Sequence, residues 1–148
     1  MKKFNLILSL ITIILQSCNN NDCGECFTPP EEFSFEIVNK ISGENLFTNG
    51  TYEPEQIEII NTLDNSKVNF TFISENNINI IQIENIGWVT EKVNLQINIS
   101  ENHIFDFNVN AERKTGECCS YTEYNNITIG NSEYELENQT GIYKIMKE

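Results

Sequence analysis

The sequence predicts an all-β protein, an antiparallel β-sandwich of about eight short strands standing behind an N-terminal signal helix. Three observations predict it. From Phe33 onward, apolar side chains recur at every second position, the period of a strand with one buried face. Clusters of Asn, Gly, Asp and Ser interrupt these runs at roughly ten-residue intervals, the rhythm of sandwiches and small barrels. After the first apolar segment, no stretch repeats at the spacing of an amphipathic helix.

The chain divides into three parts. In residues 1–17, Lys2 and Lys3 precede an apolar run, Phe4 to Leu15, broken only by Asn5, Ser9 and Thr12. A run of about a dozen residues is short of the roughly 20 that span a bilayer, and with its positive start it reads as a secretory signal. Residues 18–32 read as a tether. They carry Asn19, Asn20 and Asn21, then Cys23-Gly24-Glu25-Cys26 and Pro29-Pro30, all breakers without a period. Residues 33–148 form the sandwich domain.

Within that domain, Phe33, Phe35 and Ile37 alternate with Ser34 and Glu36 as the first strand. A long polar connection, Asn39 to Glu55, holds the apolar pair Leu46-Phe47. Ile57 and Ile59 mark a second strand, turned by Asp64-Asn65-Ser66. Val68, Phe70 and Phe72 read as the next alternating face. Ile78, Ile80, Ile81 and Ile83 then switch parity, which predicts a bulge or burial on both faces. Gly87 separates this run from the longest one. There Val93, Leu95, Ile97 and Ile99, a turn at Glu101-Asn102-His103, and Phe105, Phe107, Val109 and Ala111 give the strongest hairpin pattern. Arg113 to Ser120 reads as a cysteine loop. Ile127 and Ile129 lead to Gly130-Asn131, which suits a tight hairpin, then Tyr134 and Leu136; a last strand holds Ile142, Tyr143 and Ile145. The pattern suggests an immunoglobulin-like or transthyretin-like arrangement first and a small barrel second.

Leu15-Gln16-Ser17-Cys18 resembles the lipobox of bacterial lipoproteins: Leu15, Ser17 and Cys18 match, and Gln16 departs from the small or aliphatic residue usual there. The resemblance covers residues 1 to 18. It implies cleavage before Cys18, a diacylglycerol thioether on its sulfur and acylation of the new amino group. Each buried methylene contributes about 0.8 kcal/mol, so several chains anchor where one binds only marginally. Asn19, rather than Asp, follows the cysteine, which in such lipoproteins leans toward the outer membrane; Asp22 leaves periplasmic and surface display both open.

Removing residues 1–17 leaves 131 residues, enough for one domain with a single core. Nine Lys and Arg against 22 Asp and Glu give −13; without Lys2 and Lys3 the charge is −15. That charge repels nucleic acid, and the remaining basic residues form no patch. An acidic chain of this kind most simply has a solvated surface. Asn is abundant on the wet faces of the strands although it is a poor strand former, which reads as compositional bias rather than a binding device. The Asn-x-Thr matches at Asn49 and Asn126 read as chance.

Beyond Cys18, four cysteines remain, Cys23, Cys26, Cys118 and Cys119, an even number in an exported chain. Pairing the neighbours 118 and 119 would strain the ring they close. Two cross-bridges are expected, with either partner choice open. Cys23-Gly24-Glu25-Cys26 is formally a CxxC, but a Pro-bounded tether lacks the helix N-terminus that redox work uses. Adjacent cysteines also suit a tetrahedral zinc site poorly. His103 is the only histidine and falls in a predicted turn, without a nucleophile at suggestive spacing. Asp22, Asp64 and Asp106 are too far apart for a calcium loop. No cofactor, metal or catalytic residue is assigned, and a non-catalytic protein is expected.

Aromatic residues remain as the candidate binding surface. Trp88 follows Gly87, Tyr121 and Tyr124 follow the cysteines, and Phe47 and Tyr52 sit in the long 39–55 loop. Such side chains cap core edges or anchor interfaces, and long loops on a rigid scaffold tend to carry function. The expectation is a lipid-anchored binding or assembly module of the cell envelope whose partner is an envelope protein or glycan; a structural or inhibitory lipoprotein is the alternative, ahead of a small hydrolase or redox protein.

Overall fold

A computed structural model describes residues 23–148; the signal segment and Cys18 lie outside the described residues. The described residues form ten strands: β1 (Phe33–Asn39), β2 (Ile57–Asn61), β3 (Ser66–Lys67), β4 (Thr71–Ile73), β5 (Ile80–Ile83), β6 (Glu91–Ile99), β7 (Asn102–Thr115), β8 (Ser120–Gly130), β9 (Glu133–Glu137) and β10 (Ile142–Lys147). They make two five-stranded sheets, ordered β4-β5-β1-β10-β9 and β3-β2-β6-β7-β8, packed as a β-sandwich. Constant-type immunoglobulin domains have four and three strands; this chain has five and five.

Alternation builds the core as the sequence predicts. Phe35, Ile37, Ile81, Ile83 and Ile145 from the first sheet meet Ile59, Leu95, Ile97, Phe105 and Phe107 from the second, all at most 1% exposed. Phe35 packs against Phe105 and Phe107 at ring distances of 5.0 and 5.1 Å. The parity switch at Ile80-Ile81 is burial on both faces, since both side chains are buried and neighbours in β5 point opposite ways.

The pairing is not purely antiparallel. β1, the middle strand of its sheet, runs antiparallel to β5 but parallel to β10, with Phe35 opposite Tyr143 and Ile37 opposite Ile145. A parallel neighbour cannot be reached by a tight turn; here the connection is nearly the whole domain, so its first and last strands close against each other.

Three turns differ from the sequence reading. The run Val68 to Phe72 spans a crossing: Val68 directly follows β3 and still donates to the Ile59 carbonyl of β2, whereas Thr71 and Phe72 lie in β4, which pairs with β5 in the other sheet. The β6–β7 turn is the pair Ser100-Glu101, because Ile99 already faces Asn102; Ser100 takes φ 55° and an extra residue, Ile104, bulges out of register. Gly130-Asn131 does not join paired strands either. β8 pairs with β7 and β9 with β10, so this turn carries the chain from one sheet edge to the other. Its geometry is held by Ser132, which donates to the Ile104 carbonyl at 2.7 Å, and by Asn131 on Asp106.

Asparagine supplies much of the turn chemistry. Among the described residues, six non-glycine positions have positive φ, and five are asparagines: Asn65, Asn76, Asn85, Asn126 and Asn131. Asn tolerates this region because its short amide bonds its own backbone. Asn39, Asn45, Asn49 and Asn61 each accept a hydrogen bond from a main-chain N–H two residues ahead, at 2.9 to 3.1 Å. The compositional excess therefore has a structural use.

The acids are partly matched by the few cations. Lys40 pairs with Glu133, Lys67 with Glu58 and Lys144 with Glu137. The Thr140 hydroxyl and Lys144 hold the Glu137 carboxyl below the usual range, and the Ser66 hydroxyl and amide do the same for Asp64. Glu133, Glu135 and Glu137 alternate along the edge strand β9 with Tyr134 and Leu136.

The β7–β8 hairpin reaches its turn at Gly116 to Cys119, with Thr115 facing Ser120. The cysteine loop is thus only this four-residue tip, and the strands extend further than alternation indicated. Cys118 bridges Cys23 and Cys119 bridges Cys26, with Cα separations of 5.1 and 5.3 Å. In chain-entropy terms, the first bridge closes a loop of 95 or 93 residues and contributes roughly 4–5 kcal/mol; the second then closes only a small ring and adds about 2 kcal/mol. Removing either pair, Cys23→Ser with Cys118→Ser or Cys26→Ser with Cys119→Ser, is expected to cost about 2 kcal/mol, and removing both about 7 kcal/mol, read from urea midpoints. Losses that simply add would contradict a shared loop.

Candidate functional site

Residues 23–32 form no strand, yet they are not a free tether. Beyond the two bridges, the Thr28 carbonyl accepts from Arg113 at 3.0 Å and the Glu31 amide donates to the Tyr124 hydroxyl at 3.0 Å. The strap lies along the β7–β8 ribbon and enters β1. Opposite it, residues 85–90 form the connection into β6 and press against the same ribbon.

That connection depends on Gly87. Its φ is 99°, where L side chains are strained, and an added Cβ would stand 2.6 Å from Thr122 Cγ2 and 3.0 Å from the Tyr124 hydroxyl. The Gly87 amide donates to Glu91 at 2.7 Å and its carbonyl accepts from the Thr122 hydroxyl at 2.7 Å. Asn85, also at positive φ, accepts from the Trp88 indole N–H at 3.3 Å. Trp88 is thereby turned outward.

Arg113 joins the pieces. Its main-chain N–H donates to the Thr90 hydroxyl and its guanidinium to Thr122 and to the Thr28 carbonyl, each at 3.0 Å. The guanidinium also lies 5.6 Å from the Trp88 ring centre, within cation–π range. Phe27 packs on Trp88 at 5.8 Å. The result is an exposed apolar face: Phe27 is 80% exposed, Val89 62% and Trp88 42%.

Tyr124 lies beneath it. Its hydroxyl donates to the Ile86 carbonyl at 2.9 Å while accepting from Glu31, and its ring meets Phe33 edge-on at 5.1 Å. Burial raises its phenol above the usual value. Tyr124 is therefore a joint between strap, loop and core, not a contact surface. Tyr121 is three residues away on the same strand, so it points to the other face of the ribbon, with Lys114 and Glu123. The structure separates the two tyrosines that the sequence had grouped.

The 39–55 loop is likewise folded inward. Phe47 is 9% exposed and packs on Phe72 at 4.9 Å and on Tyr52 at 5.8 Å. Asn45 fixes this: its amide donates to the Asn79 carbonyl at 2.8 Å while its oxygen caps Phe47. Neither Phe47 nor the half-buried Tyr52, whose phenol burial also raises, offers an open surface.

Sequence reasoning passed over Phe27 and Arg113. Parity could have found Arg113, since it shares a ribbon face with Ala111; Phe27 gives no signal until the bridges place it. His103 bonds Asp106 at 2.8 Å on the surface. Among the described residues, no cluster of three His, Cys, Asp or Glu could hold a metal, and no helix is long and apolar enough to cross a membrane. A cleft of about 580 Å³ opens between the β8 and β9 edges, with Ile127, Leu136, Tyr143 and Phe33 along it.

Two substitutions test the scaffold. Gly87→Ala combines positive φ with close approach and is expected to cost about 1–3 kcal/mol in urea unfolding. Tyr124→Phe keeps the ring but leaves the Glu31 amide and Ile86 carbonyl without their partner, for about 1–2 kcal/mol. A neutral result in either would mean that the strap and loop are not held as described.

The chain matches no protein-family model, no curated protein and no solved structure.

Proposed function

We propose that the chain is a lipid-anchored module of the bacterial cell envelope that docks through the Phe27–Trp88–Val89 face and performs no chemistry of its own. Cys18, cleaved free of residues 1–17, carries the lipid; the outer membrane is the favoured location. The observation that carries the reading is the position of the exposed aromatic face. It is built on a strap bridged twice into the sandwich, beginning five residues after Cys18. Exposed Trp and Phe on a rigid support are the side chains that anchor interfaces at low entropic cost. His103, by contrast, stands with Asp106 on an open hairpin, away from that support.

Intact mass of protein from membrane extracts, with and without reduction and alkylation, tests the anchor. The expected mass is residues 18–148 plus three acyl groups, with four cysteines labelled only after reduction. Cys18→Ser is expected to leave the domain folded and move it to the soluble fraction. Trp88 is the single tryptophan, so its emission reads the docking face directly; it is expected to differ between envelope membranes and detergent. An unacylated mass, or thiols that alkylate without reduction, would overturn the proposal.

A further inference from the structure

Among the described residues, the exposed apolar side chains Ile41, Leu63 and Ile78 stand in separate turns, Tyr121 lies on the opposite face of the ribbon, and Tyr134 and Leu136 share a face of β9, far along the chain from the strap. Phe27 and Trp88 stand together at the ribbon end, and the exposed Val89 follows Trp88 in the chain. We infer that this face is the seat on which the domain rests against the bilayer, with these three side chains entering the headgroup region of a zwitterionic lipid surface. The inference rests on the lipoprotein reading of Cys18 and names the occupant of the proposed docking face.

Chain length supports it first. Five residue steps separate Cys18 from Cys23 and reach at most about 18 Å even when fully extended. Cys23 is bridged to Cys118 and Cys26 to Cys119, and Phe27 follows directly. With Cys18 acylated, the ribbon end stays within that distance of the lipid, whereas the rest of the sandwich can face away. The seat is therefore the apolar surface that the anchor brings to the membrane.

Side-chain chemistry supports it second. Trp and other amphipathic aromatics concentrate at membrane–water interfaces because an apolar body and a polar edge match the headgroup layer. Trp88 has its N–H turned to Asn85 and a guanidinium beside its ring. Charge selects the lipid: a net −15 without residues 1–17 opposes anionic surfaces, and Arg113, the cation beside Trp88, is already held by Thr28 and Thr122. Size separates lipid from protein. A stable protein interface buries about 800 Å² on each partner, more than three side chains supply. A bilayer needs only a shallow patch to orient a domain whose affinity comes from acyl chains.

The test uses full-length protein purified with its acyl groups and reconstituted in vesicles of phosphatidylethanolamine and phosphatidylcholine. Trp88 emission is expected to shift to the blue relative to the detergent-free Cys18→Ser protein. Lipids brominated near the headgroup end of the chain are expected to quench it more than lipids brominated near the bilayer centre. Phe27→Glu with Val89→Glu changes two exposed positions and is expected to abolish the shift and most of the quenching, with unchanged mass and circular dichroism. Unquenched Trp88 on acylated protein overturns the seat alone, including the case where only a protein or glycan alters the emission. Quenching that survives the double substitution also overturns it, since proximity would then come from the tether. A mass without acyl groups overturns the anchor and the seat together.

Discussion

The paired bridges from Cys23 and Cys26 to Cys118 and Cys119 are the constraint on which the ribbon end depends. Residues 23–32 have no strand partner, and only single hydrogen bonds at Thr28 and Glu31 tie their backbone to the ribbon. Cys118 and Cys119, neighbours in the hairpin tip, each take their own partner on the strap. The strap is thereby held at two points rather than one, which fixes direction as well as position. Phe27 reaches Trp88 for that reason, and β1 enters the middle of its sheet already oriented.

The fold was legible wherever one face of a strand is apolar and the other wet. Val93 to Ile99 and Phe105 to Ala111 gave their hairpin from alternation alone, and the structure pairs Val93 with Val109 and Leu95 with Phe107. Alternation fails where neither face is decisively apolar. Ser120 to Asn125 shows no apolar alternation, because Thr122 and Tyr124 meet the 85–90 connection through their hydroxyls, so the first half of β8 carries no strand signal in the sequence. It also cannot tell which sheet receives a strand. Val68, Phe70 and Phe72 keep one parity while the chain changes layers, and Gly130-Asn131 has hairpin chemistry but serves a crossing between sheets.

The candidate face was half legible. Trp88 was named as an aromatic residue following Gly87, and Gly87 matters for a physical reason: a Cβ there would stand 2.6 Å from Thr122 Cγ2. Tyr121 and Tyr124 were grouped by nearness in sequence, although residues three apart on a strand face opposite ways. Phe47 and Tyr52 were read as loop residues on the surface, but Asn45 turns their loop inward. Connections between distant segments, such as Arg113 to Thr28, leave no local mark in the sequence.

The edge strand β9 has a consequence for molecules that meet in numbers. An unpaired strand edge invites a second copy, and the invitation strengthens on any surface that concentrates copies in two dimensions. Glu133, Glu135 and Glu137 sit on one face of that edge, and Lys40 and Lys144 of the same chain already hold Glu133 and Glu137. Two such edges approaching each other would bring carboxylates opposite carboxylates with no free cation between them. The acidic side chains of this edge thus work against strand-to-strand pairing of β9 with β9 of a second copy.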